Sequence, residues 1–307
     1  MTFFAFFGAV ELGLVYGLMT MGVFITFRVL NFPDLTVDGS LPLGAAVASV
    51  CVAGGMNPFF ALIFATLAGF LAGTITGFLT TKLRILHLLA SILTMTALYS
   101  VNIRVMGGRP NISLLGKRTV FDPVFSLGLP NYLAYNLVFL AFVAAIVAIL
   151  AWLVKTEYGQ SLLATGDNPR MITAMGVNTH FTIITGVGIS NALVALSGGL
   201  VAQYQGTADV SMGVGTIVAG LASIVVGETL FGTRRVTGAI IAAVLGSVVY
   251  RLAIALALGL KFKRFSFTAS DLNLITALLV VIALTVPLLK SRLKKRKKGA
   301  PFGKKPC

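Results

Sequence analysis

Charge is what this sequence has least of. Only 11% of its 307 residues are Asp, Glu, Lys or Arg, and just nine are carboxylates. A soluble domain carries about a quarter charged residues, so a large water-facing surface is excluded. Histidine is almost missing. His87 and His180 stand far apart in sequence with no metal-ligand spacing, and no metal site is expected. Of the two cysteines, Cys51 lies inside an apolar run and Cys307 ends the chain, which excludes a disulfide framework. Gly-x-x-x-x-Gly-Lys-Ser/Thr, Gly-x-Ser-x-Gly and His-Glu-x-x-His do not occur. The chain thus offers no phosphate loop and no catalytic constellation, so no enzyme activity is expected. If ATP drives anything here, another chain must bind it, and no cofactor is expected on this one. The start, Met1-Thr-Phe-Phe-Ala-Phe-Phe7, has no basic segment, so the first apolar run is expected to stay rather than be cleaved.

What is present is apolar. The chain is 57% hydrophobic, with a mean hydropathy of +0.96. That composition reads as an all-α polytopic membrane protein of about nine transmembrane helices. The predicted spans are 5–27, 41–55, 58–79, 85–103, 134–154, 181–203, 213–230, 236–258 and 272–289. Residues 1–290 form one transmembrane domain, and 291–307 a basic tail. Gly69, Gly73 and Gly77 make a ridge in the third span that predicts close helix packing, as Gly13 and Gly17 do in the first. The segment 104–133 reads as an outer loop with a short surface helix.

The net charge of +15 is not distributed as a nucleic-acid face. Nine of the 24 Lys and Arg sit between Lys290 and Lys305. Placing 157–180 on the cytoplasmic side puts sixteen basic residues inside and seven outside, with Arg251 within a span. The positive-inside rule then places the N-terminus outside and the C-terminus in the cytoplasm. The tail reads as a topology signal and a contact for anionic lipid.

Polar residues within spans are expensive and are the first candidates for a transport route. Residues 31–42, with Pro33 and Pro42, are too polar for free hydrocarbon and read as a broken segment beside such a route, or as a cytoplasmic turn whose Asp residues cap the next helix. The route candidates are Asp34, Thr36, Asp38, Ser40, Asn191, Tyr250 and Arg251, with Gln203 and Gln205 beside them. Arg251 fits a substrate carboxylate through its planar donor fork, or it snorkels or pairs with a neighbour. Glu11 reads as a solvated carboxylate at a span end, ahead of the alternative of a buried functional acid. Glu228 is expected to pair with Arg234 or Arg235 in the basic turn that follows it.

Residues 157–180 interrupt the apolar pattern in mid-chain. Asp167 or Asn168 can cap a helix, Pro169 suits its first position, and Gly176 can end it in the left-handed conformation. The punctuation predicts a helix of about two turns near 168–176, with Met171, Ile172 and Met175 on one side. It reads as a cytoplasmic docking element or as a plain polar loop.

The same stretch resembles the coupling segment of ABC-transporter permeases of the ribose and branched-chain amino-acid type. Gly159, Ala164, Gly166, Asn168 and Gly176-Val-Asn178 match that pattern, as do Ser197-Gly-Gly199 downstream and Asn31-Phe-Pro-Asp-Leu-Thr-Val-Asp-Gly-Ser40 upstream. It is most similar to a branch for which aromatic amino acids have been suggested as ligands. The resemblance implies a permease subunit of an importer in the bacterial plasma membrane. Such a subunit forms a homodimer, docks two ATP-binding cassette ATPases that use the ATP, and receives a small polar solute, such as an amino acid, from a periplasmic or lipoprotein-type binding protein. It assigns ATPase coupling to Gly159, Asn168, Pro169, Arg170, Met171 and Gly176, and a second cytoplasmic contact to Glu228, Arg234 and Arg235. A stand-alone secondary transporter or channel is the alternative, with Glu228 and Arg251 as its coupling residues. Against it, no inverted repeat is apparent.

Overall fold

The structure, a computed structural model, describes residues 3–125, 130–232, 235–259 and 285. In order the chain forms α1 (Phe3–Phe24), a π-helical turn (Ile25–Val29), α2 (Val37–Ala53), α3 (Pro58–Thr81) and α4 (His87–Val105). Strand β1 (Asn111–Ser113), α5 (Asp122–Phe125), α6 (Asn131–Lys155), α7 (Glu157–Asp167) and α8 (Pro169–Ala174) follow. Then come α9 (Thr179–Gln205), β2 (Thr207–Asp209), a 3-10 turn (Val210–Gly213), α10 (Thr216–Phe231) and α11 (Val236–Gly259). Among the described residues, seven helical stretches are long and apolar enough to cross a membrane, and α2 is a shorter apolar helix. Eight of the expected spans are thus helices. The expected ninth span at 272–289 lies outside the described residues, residue 285 excepted, as do Arg234, the 261–271 segment and the tail.

The bundle is built around α9. Every residue from Ser190 to Gln203 is buried, the signature of a helix enclosed on all sides. Helices α3, α2 and α1 surround it. The expected glycine ridge of α3 is the contact surface: a Cβ at Gly69 or Gly73 would overlap the carbonyl oxygens of Asn191 or Val187 on α9. Backbone-to-backbone contact of this kind replaces hydrophobic sequestration where the solvent is lipid. Helix α11 packs on α1 and α10.

The two ends of the bundle differ. At one end β1 pairs antiparallel with β2, Asn111 opposite Asp209. The expected surface helix of segment 104–133 is a single turn, α5, beside this unforeseen two-stranded sheet. At the other end α7 and α8 project between α6 and α9.

Two sequence expectations are corrected here. The break after α1 covers 30–36 rather than 31–42, because Pro42 lies inside α2. A proline there forfeits a bond to the carbonyl four residues back. That carbonyl belongs to Asp38 and abuts Gly213 instead. Glu11 is not solvated: it is 4% exposed. Its carboxylate accepts hydrogen bonds from the Tyr204 hydroxyl at 2.7 Å and the Asn136 amide at 3.2 Å. An edge-to-face aromatic cluster of Phe121, Tyr135, Phe139 and Tyr204 lies alongside Tyr204 and closes off solvent.

Candidate functional site

The break after α1 begins where the π turn ends. Leu30 N–H bonds to Ile25 O at 2.9 Å, and Asn31 then turns the chain at a φ of 55°. Residues 32–36 climb beside α9 and deliver Asp34 to its middle. The Asp34 Oδ1 accepts from the Thr36 N–H at 2.9 Å, a local turn that starts α2. Its Oδ2 accepts from Asn191 Nδ2 at 2.7 Å. Asn191 also donates to Val187 O at 3.0 Å and accepts from the Ser40 hydroxyl at 2.7 Å. The Thr36 and Thr76 hydroxyls bond at 2.9 Å.

Four of the seven expected route residues, Asp34, Thr36, Ser40 and Asn191, thus meet in one cluster, and all are 0% exposed. Their hydrogen bonds run to one another, to Thr76 and to the Val187 carbonyl, so in this conformation the fully buried cluster ties α2 and α3 to α9. Thr76 belongs to it and was not anticipated. Its signal was a hydroxyl on the glycine face of α3, one residue before Gly77.

Asp38 does something different. Its carboxylate accepts from Gly215 N–H at 3.1 Å, Ile217 N–H at 2.9 Å and the Thr216 hydroxyl at 2.9 Å. It caps α10 from a distant segment, where Gly215 at a φ of 77° provides no cap of its own. An N-cap acceptor satisfies donors that the helix cannot. Tyr250 is 3% exposed and packs with Ala222 and Ile254. The Arg251 guanidinium sits 3.9 Å from the centroid of the Tyr16 ring, a cation–π stack within the chain.

The α7–α8 end follows its sequence punctuation. Thr156 caps α7 by accepting from Gly159 N–H at 3.2 Å. Asn168 caps α8 by accepting from Met171 N–H at 3.1 Å, Pro169 stands first in the helix, and Gly176 leaves it at a φ of 90°. Ile172 alone of the apolar trio turns inward. Met171 and Met175 are 51% and 71% exposed, and Arg170 is exposed with them. Helix α7 is pinned from below. Gly166 rests on the Val29 carbonyl, and Leu162 with Leu30 fills the notch at Gly186 of α9. Tyr158 bonds the Thr185 hydroxyl, and burial pushes its phenol above the ordinary range.

Among the described residues Glu228 pairs with Arg28 rather than with Arg235, and Arg234 lies outside them. Arg28 grips Glu228 with a fork, Nε to Oε1 at 2.8 Å and Nη2 to Oε2, joining the π turn to the end of α10. The helices bring these two positions together from 200 residues apart in sequence. Arg235 lines the same shallow groove as this pair.

Three comparisons bear on this arrangement. The family model described as branched-chain amino acid transport system, permease component, matches residues 5–284. The tyrosine transport system permease protein of Clostridioides difficile is 39% identical over 282 residues, 92% of this chain and 91% of that one. The ribose import permease protein RbsC of Haemophilus influenzae is 26% identical, covering 69% of this chain and 66% of that one. Among solved structures, PsaBC from Streptococcus pneumoniae in complex with Fab aligns with a TM-score of 0.51 over 91% of this chain and 89% of that one, at 17% identity, a likeness of fold. A broken, multi-helix bundle whose family model spans nearly the whole chain leaves one assignment: the chain belongs to the branched-chain amino acid transport system permease family of ABC transporters.

Proposed function

We propose that this chain is the membrane subunit of an ABC importer for an amino acid, with tyrosine the first substrate to try. The observation that carries the proposal is the α7–α8 end. A two-turn helix there exposes Arg170, Met171 and Met175 while Gly166 and Leu162 lock its base to the π turn and to α9. A short capped helix is marginal alone. Held rigidly, with flexible methionines outward, it suits a partner that pushes on it.

In this reading α7–α8 receives the ATPase subunit, which binds and hydrolyses the ATP. Gly159, Asn168, Pro169 and Gly176 hold the element's shape, and Glu228, Arg234 and Arg235 supply a second cytoplasmic contact. The α7–α8 end faces the cytoplasm and the β1–β2 end faces outward, toward a periplasmic or lipoprotein-type binding protein. The first apolar helix then starts outside, and a ninth span returns the basic tail to the cytoplasm of a bacterial cell. Two copies enclose the route. Asp34, Thr36, Asp38, Ser40, Asn191, Tyr250 and Arg251 flank it, Arg251 with its guanidinium held on the Tyr16 ring. The tyrosine assignment comes from the named transport activity of the Clostridioides difficile relative.

The test is reconstitution. The chain is purified with a candidate ATPase and a candidate binding protein, and uptake of labelled L-tyrosine into proteoliposomes is followed. ATP-dependent uptake, lost when the ATPase is inactivated, is the expected result. Uptake by the chain alone, driven by an ion gradient, overturns it.

A further inference from the structure

Between α2, α4 and the Val210–Val214 turn lies a cavity of about 320 Å³. It sits on the β1–β2 side of the buried Asp34–Asn191 cluster. Pro42, Met95, Tyr99, Val210 and Val214 give it an apolar wall. Its mouth stands open, since Tyr99 is 57% and Val214 77% exposed. The volume is at the small end of ligand pockets, which run about 300–1,000 Å³.

The polar groups on the wall decide what fits. Asp38 is its one ionisable carboxylate, and that carboxylate is already engaged by Gly215, Thr216 and Ile217. Asn102 is different. It is 1% exposed, and its Nδ2 donates to Gly39 O at 3.2 Å. Among the described residues its Oδ1 has no partner. A buried acceptor left unpaired is costly, and native structures rarely tolerate one without a use for it. The cavity therefore offers a largely apolar slot with the Thr96, Tyr99 and Ser211 hydroxyls on its wall and, in Asn102 Oδ1, one buried acceptor still to be matched. A flat ring carrying one O–H or N–H donor matches it.

We infer that this cavity is a transit site for the phenol or indole ring of an aromatic amino acid, with the ring against Tyr99 and Val214 and its donor on Asn102 Oδ1. The inference rests on the amino-acid importer reading above and adds the place in the bundle where the solute's side chain is held.

The experiment uses the complete complex in proteoliposomes and labelled L-tyrosine. Val214→Trp and Thr96→Trp block the slot from opposite walls, and both positions are exposed, so neither disturbs buried packing. Each is expected to cut tyrosine uptake about tenfold or more, as the loss of a fitted subsite does. Asn102→Leu is expected to erase any preference for tyrosine over phenylalanine while phenylalanine uptake persists. Leu140→Trp, on the exposed face of α6, is the control and leaves uptake unchanged. Folding is read independently: a Val214→Cys complex is labelled with a maleimide, and L-tyrosine is expected to slow the labelling. Wild-type uptake by both tryptophan variants, or labelling indifferent to tyrosine, overturns the cavity while leaving the importer reading in place. So does spontaneous crosslinking of two Val214→Cys protomers, because a second copy then fills the slot. No tyrosine uptake by the unmodified complex overturns the importer reading and the cavity with it.

Discussion

The α-carbon of Gly166 lies directly against the carbonyl oxygen of Val29, with no room between them for a methyl group. This contact joins α7 to the π turn that ends α1, one step before the break that carries Asp34. Gly166→Ala gains about 1 kcal/mol of helix propensity, but overpacking a fitted contact costs about 1–3 kcal/mol. The clash is expected to win. The variant should insert and bind its ATPase, yet move less solute per ATP hydrolysed, measured as uptake and phosphate release from the same proteoliposomes. A wild-type ratio would mean that the contact transmits nothing.

Helix α8 allows a sharper separation of shape from charge. Gly176→Val forces a β-branched residue to a φ of 90°, where side chains are strained. Arg170→Glu leaves the backbone alone and reverses an exposed charge. Both are expected to leave membrane insertion intact and to uncouple hydrolysis from transport. Asn168→Ala, which removes the cap on Met171 N–H, should cost about 1 kcal/mol locally and give a milder version of the same defect. ATPase rate with and without binding protein, in each variant, is the measurement.

The buried cluster predicts a stability effect rather than a kinetic one. Asn191→Leu removes the donor to Asp34 Oδ2 and the acceptor for Ser40. Each buried polar group so orphaned costs about 1–3 kcal/mol. Ser40→Ala alone deletes one bond and leaves only Asn191 Oδ1 short. The thermal midpoint in detergent should therefore fall more for Asn191→Leu than for Ser40→Ala. In the double variant, the loss should be less than the sum of the two, since they share a bond. Additive losses would separate the two residues.

What could be read from the sequence, and what could not, divides along range of interaction. The α3 ridge was legible because Gly69, Gly73 and Gly77 recur at one face of a helix, a local spacing. The caps of α8 were legible because Asn168, Pro169 and Gly176 each act within a few residues. The meeting of Asp34 with Asn191 was expected only as two polar residues at membrane depth. Their bond spans 157 positions. Pro42 looked like a breaker because the residue its freed Asp38 carbonyl packs against, Gly213, is remote in sequence. Glu11 looked solvated because the aromatic cover comes from Phe121, Tyr135 and Tyr204. The Asn102 acceptor left no signal at all, since an asparagine within a span is ordinarily an interhelical bond.

The Arg28–Glu228 fork is exposed enough to make a modest prediction. The two side chains are 57% and 20% exposed, and such pairs contribute about 0–1 kcal/mol. Glu228→Gln should therefore barely move the thermal midpoint. Its effect should appear in coupling, because the pair ties α10 to the π turn on which Gly166 of α7 rests. The reversed pair, Arg28→Glu with Glu228→Arg, is expected to recover most of the lost coupling, while each single reversal does not. High salt should reduce the difference between wild type and Glu228→Gln. No recovery in the double reversal would remove the ion pair from the mechanism.

Arg251 and Tyr16 give the last test, and it separates two roles by the quantity that changes. The stack at 3.9 Å places the guanidinium on a ring that is only 9% exposed. A partly desolvated cation–π contact contributes about 0.5–2 kcal/mol. If holding α11 against α1 is the whole of its work, Arg251→Ala lowers the thermal midpoint and leaves the KM for tyrosine unchanged, and Tyr16→Leu does the same. If the guanidinium also leaves the ring to meet a solute carboxylate, Arg251→Ala raises KM while Tyr16→Leu, which frees the cation, does not. The closed stack favours the first outcome, because breaking it during each transport cycle would spend part of the binding energy of a site that must also let the solute go. The expected result is therefore a stability loss in both variants with KM unmoved. A KM rise confined to Arg251→Ala would put this residue on the route.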